Sequence, residues 1–97
     1  MPNFKVLLSG RGIDLAMEDD SAIGFFTTRL VRADDQKSAE SLASDLVLSE
    51  WRLGGAYAQA NRGDLPVLSI EQSFPVSWFE GVFGRKASGY VFYCHED

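Results

Sequence analysis

The feature that most constrains this chain is a change of period in its middle. From Gly24 to Ala33 the residues run Gly-Phe-Phe-Thr-Thr-Arg-Leu-Val-Arg-Ala. Aromatic and β-branched side chains at that density suit a pleated, half-buried backbone and lose rotamer freedom in a helix. A few residues later Ala39, Leu42, Ala43, Leu46 and Val47 recur at the intervals that place side chains on one helical face. Between the two patterns stand Asp34 and Asp35, either of which can accept a hydrogen bond from a first-turn amide while its charge complements the helix dipole. The reading is a strand over 24–33 followed by a helix from about Asp35 to about Arg52. Two residues break the helical stripe, because Leu48 points away from it and Glu50 points into it.

Ahead of this stretch, Phe4, Val6 and Leu8 alternate with Lys5, Leu7 and Ser9, the period of a strand with one buried face. Ser9-Gly10-Arg11-Gly12 is expected to turn the chain into a second short strand, where Ile13, Leu15 and Met17 alternate again. A polar turn at Glu18–Ser21 then leads into the central strand, so the front half reads as an antiparallel meander.

Behind it, Gly54-Gly55 stops the helix and Ala56 to Leu65 reads as connecting loop. Val67 to Phe74 is the next strand, with Leu68, Ile70 and Phe74 expected on one face and Pro66 at its start. Pro75 is expected to end it. Ser77 can cap a single helical turn through Trp78, Phe79 and Glu80; residues 84–89 form a basic loop, and Tyr90 to Cys94 closes the sheet. The chain is thus expected to be one α+β domain over residues 1–97, a single helix on one face of a mostly antiparallel sheet. Its element order is β-β-β-α-β-β, ferredoxin-like in part, with a crossover that sets strands 24–33 and 67–74 parallel.

Composition bounds the function more than it specifies it. Forty-five per cent hydrophobic residues, twelve of the 97 residues aromatic, can supply a core without disulfides or a structural metal. A net charge of -5 disfavours nucleic acid as a partner, since its affinity depends on Lys and Arg displacing counterions. No apolar run is long enough to span a membrane, and the first residues do not form a signal peptide, so a cytoplasmic protein is expected. The single Cys94 is expected to be a reduced thiol.

Candidate chemistry is sparse. Cys94 and His95 lack the paired spacing of a zinc site, and the adjacent histidine is not placed to activate the thiol. The carboxylates at 18–20 and 34–35 read as a turn and a cap. No metal, cofactor or catalytic residue is therefore assigned. Arg29 stands out, because the alternation that turns Phe25, Val31 and Ala33 toward the helix turns Thr27 and Arg29 inward too. The opposite alternation buries Phe26 and Leu30 but turns Arg32 inward, and a bulge at Thr27-Thr28 would relieve both. Arg29 either has a structural partner or forms an anion site with Thr27 and Thr28.

Gly24-Phe25-Phe26-Thr27-Thr28-Arg29, with Val31 to Asp35 and the Ala39-Glu40-Ser41-Leu42-Ala43 helix, resembles a motif of short uncharacterised bacterial proteins. The same junction resembles that of antitoxin scaffolds of the HicB type, from which this chain departs in having no DNA-binding tail. The second resemblance implies a sheet-plus-helix scaffold that acts through protein contacts, and neither transfers a catalytic residue.

The functional expectation is a non-enzymatic protein-interaction or self-association module, with a homodimer as its usual form. The alternative is a small-ligand or anion-binding domain built on Thr27, Thr28 and Arg29. Seven of the twelve aromatics fall in the final 24 residues, more than one helix on one sheet face can cover. The contact residues are expected to be Trp78, Phe79 and Phe83, extended by Leu48.

Overall fold

The computed structural model describes residues 2–18, 20–76 and 89–94. Its elements are β1 (Asn3–Ala16), β2 (Ser21–Arg32), α1 (Gln36–Ser49), β3 (Val67–Val76) and β4 (Tyr90–Cys94). The four strands form one antiparallel sheet in the order β3-β1-β2-β4. Because β1 is antiparallel to both β2 and β3, those two run in the same direction with β1 between them, and α1 makes the crossing.

The α+β class stands; two details of the expected architecture do not. The turn expected at Ser9–Gly12 is absent, and β1 is one strand of 14 residues, so the order is β-β-α-β-β. Gly10 stays extended because the Phe25 ring lies over it, where any Cβ would collide with the ring. Gly12 takes φ 90°, and near it the β1–β2 register shifts between Arg11 and Leu15. The chain kinks there without reversing, and the shift lets odd-numbered Ile13 and Leu15 join the core that even-numbered Phe4, Val6 and Leu8 begin. The ferredoxin-like element fails for a related reason. That topology alternates two strand–helix–strand units, whereas β1 and β2 form a hairpin before α1, the one helix among the described residues.

The polar turn after β1 is where the sequence places it, closed by the Met17 amide donating to the Asp20 carbonyl at 2.8 Å. Asp35 caps α1 from an extended conformation, its carboxylate accepting from the Ser38 amide at 2.7 Å. The helix buries Ala39, Ala43 and Val47, a narrower stripe than expected, and leaves Leu42 and Leu46 largely exposed. Leu42 and Leu46 flank that stripe at its margin and stay 41% and 43% exposed. α1 covers β1, β2 and β3, held to β3 by Gln36, which donates to the Ser73 carbonyl at 2.9 Å, and by a hydrogen bond from Ser73 to Glu40.

β3 carries a bulge. Leu7 and Leu8 of β1 face Gln72 and Ile70, leaving Glu71 unpaired in the ladder. One extra residue reverses the faces beyond it. Leu68 and Ile70 therefore share the helix side with Gly10 and Leu8, while Phe74 lies opposite Lys5 on the other side. The expected grouping of Leu68, Ile70 and Phe74 on one face is thus corrected. Pro75 does not end the strand, which continues to Val76; an edge position tolerates a residue with no N–H.

The segment after α1 is more than connecting loop. Trp51 is buried, the Tyr57 amide donates to the Glu50 carbonyl at 2.8 Å, and the two rings stack at 4.7 Å. Together they cover the β2–β4 end of the helix side, meeting Phe25, Tyr90 and Phe92. Asn61 then ties the chain to β1, accepting from the Asp14 amide at 2.9 Å.

Candidate functional site

Arg29 and Glu50 resolve each other. β2 follows the alternation that turns Phe25, Thr27, Arg29 and Val31 toward α1, and the β1 ladder runs through Thr27-Thr28 without a bulge. Arg29 Nη1 and Nη2 donate to Glu50 Oε2 and Oε1 at 3.0 and 3.3 Å, with the two side chains 9% and 31% exposed. The guanidinium also lies over the Tyr90 ring, 5.2 Å from its centroid. Tyr90 Oη donates to Glu50 Oε1 at 2.6 Å and accepts from Trp51 Nε1 at 3.3 Å. Glu50 is at once the helix C-cap residue and the shared acceptor of this network.

The electrostatics follow. Burial pushes the Glu50 carboxyl upward, but the hydrogen bonds from Arg29 and Tyr90 and the Arg29 charge outweigh it and hold the group below its ordinary range. Burial, then the bond to Glu50, pushes the Tyr90 phenol well above its ordinary value. At neutral pH the pair is a carboxylate and a neutral phenol. Each polar group is engaged by another, the exception being Arg29 Nε, which is buried without a hydrogen-bond partner.

Of the three residues read as an anion site, only two share a side. Thr27 and Arg29 are buried toward α1, whereas Thr28 points to the opposite face of the sheet. Thr27 Oγ1 donates to the Gly89 carbonyl at 2.9 Å, and Arg29 is bound by Glu50. The described residues enclose no pocket. Among the contact residues expected from the sequence, Leu48 is half-buried on α1, and Trp78, Phe79 and Phe83 lie outside the described residues.

The register reveals a surface that the sequence reading did not single out. Residues opposite one another on paired strands share a face. Phe26 faces Ser9 and Val91, Gly24 faces Tyr93, and Phe74 faces Lys5, all on the side away from α1. Phe26 and Phe74 are each 42% exposed and Val91 68%. The Phe26 and Tyr93 rings lie 5.7 Å apart, and the Tyr93 ring covers Gly24 as Phe25 covers Gly10. No described element covers this face. The signal for it lay in Phe25-Phe26, adjacent aromatics that must point to opposite faces of one strand.

Among the described residues no group of three or more His, Cys, Asp or Glu side chains is placed to hold a metal, and Cys94 is half-buried, opposite Ala22, with no disulfide. Among the described residues no helix is long and apolar enough to cross a membrane. The chain matches no protein-family model, and neither a curated protein nor a solved structure matches it.

Proposed function

We propose that this domain is a non-enzymatic interaction module that associates with a second copy of itself through the β2–β4 side of the sheet, whose face away from α1 has no covering element among the described residues. The observation that carries this reading is the cluster of Phe26, Val91 and Tyr93, exposed side by side on two neighbouring strands. Aromatic and apolar side chains on a rigid element make the desolvated centre of an interface, and a two-fold pair is the commonest form of association. The Arg29–Glu50–Tyr90 network supports the same reading from the other side. Apart from the buried Arg29 Nε, its donors and acceptors are spent on one another, joining β2, the C-cap of α1 and β4 into the platform that presents the cluster.

Light scattering tests the proposal. The native protein is expected to dimerise with rising concentration, and Val91→Lys to weaken the dimer about tenfold; at concentrations where both are monomeric the melting temperature stays the same, because position 91 is mostly exposed. A monomer up to high micromolar concentration would overturn self-association.

A further inference from the structure

The two edges of the sheet are not alike. β3 is guarded: Pro66 precedes it, Pro75 lies in it without an N–H, and the bulge at Glu71 breaks its ladder and places a carboxylate that accepts from Ser9 Oγ at 3.0 Å. Natural sheets use these devices to block the addition of further strands. The β2–β4 ladder has a register shift too, but it falls on β2, between Ala22 and Gly24, and β4 itself carries neither bulge nor proline. Its five residues, Tyr-Val-Phe-Tyr-Cys, include no charge, no proline and no glycine, and among the described residues only β2 pairs with them.

We infer that the outer edge of β4 is the docking site for β4 of a second copy, added antiparallel about a two-fold axis at Phe92. An antiparallel pair centred there keeps all five residues in the ladder. Tyr90 meets Cys94 of the other copy, Phe92 meets its own counterpart, and Val91 meets Tyr93 twice on the face away from α1. The repeated Val91–Tyr93 contact is a β-branched residue against an aromatic, a favourable cross-strand pair. It also gives a role to Val91, the most exposed large hydrophobic side chain among the strand residues of that face. An uncharged strand suits a second copy in particular, since two chains of net charge -5 repel and gain most where neither brings a charge to the seam. With β3 guarded, addition at β4 closes at two copies and does not propagate into a fibre.

The inference rests on the self-association proposed above and specifies its geometry, so the experiment separates strand addition from packing of one sheet face on another. Amide hydrogen exchange on the native protein across a concentration series is combined with sedimentation of Val91→Lys and Phe74→Asp. Phe74 lies on β3, at the far edge of the same face. Strand addition predicts that the β4 amides not bonded to β2 slow about tenfold or more as the dimer fills. It also predicts that Phe74→Asp leaves the dimer intact while Val91→Lys weakens it. A dimer whose β4 amides exchange at one rate at every concentration, or that Phe74→Asp weakens as much as Val91→Lys, would overturn strand addition and leave face packing. A monomer throughout would remove self-association itself.

Discussion

Arg29 and Glu50 are each misplaced by the rules of their own element, an arginine on the buried side of a strand and a carboxylate in the apolar stripe of a helix. The contradiction disappears once the two elements meet, because a charge leaving water needs a partner and each supplies the other's. Glu50→Ala would leave Arg29 unpaired at 9% exposure. The cost in chemical denaturation is expected at about 2 kcal/mol, less than the full buried-pair penalty because Glu50 is partly solvated. Since the folded state holds the Glu50 carboxyl below its unfolded value of 4.5, the unfolded state binds more protons as pH falls through that range. The contribution is complete above pH 4.5 and is lost as pH drops through the lowered folded value. Stability measured against pH should fall less steeply across that window in Glu50→Gln than in the native protein, and equal slopes would contradict the assignment.

At the scale of elements, the decisive observation is that β1 continues through Ser9–Gly12 without reversing. Glycine has two uses, freedom to turn and absence of a side chain, and sequence alone does not say which is in play. At Gly10 it is the second, because the Phe25 ring occupies the space of the missing Cβ. Gly10→Ala is expected to cost about 1–3 kcal/mol by forcing that ring out of its stack with Trp51, even though alanine is the better strand former. Thermal unfolding checks this, and a neutral or stabilising result would mean that the ring yields freely. The narrowness of the α1 stripe has the same kind of origin. Period identified the face, but the packing of α1 on the sheet decided how much of Leu42 and Leu46 it could include.

Across the whole molecule, the helix side of the sheet is roofed in two parts. α1 covers β3, β1 and β2, while Trp51 and Tyr57 cover the β2–β4 side with a stack of rings set edge-on to Tyr90. Trp51→Ala is expected to cost about 3–5 kcal/mol in denaturant unfolding, more than its lost contact with any one ring, because Phe25, Tyr57, Tyr90 and Phe92 all lean on it. A loss under about 1 kcal/mol would show that the rings close over the gap. The other side of the sheet has no such roof among the described residues, which is why the proposed association falls there and at β4.

The sequence by itself determined what depends on neighbours along the chain. Such features include the strand period read over 24–33 and observed over 21–32, the Asp35 cap, the polar turn at Glu18–Ser21, the strand at Tyr90–Cys94 and the oddity of Arg29 and Glu50. Hydrogen bonds and side-chain directions within a few residues set these, and they are written locally. Tertiary structure alone decided the strand order, the bulge that moved Phe74 to the other face, the use of Gly10 and Gly24 as seats for rings, and the meeting of Arg29 with Glu50. Each of these is a pairing between residues far apart in the chain. Strand pairing shifts by whole residues and turns every side chain over when it does, so a period read along one strand cannot say which residue of another will lie opposite.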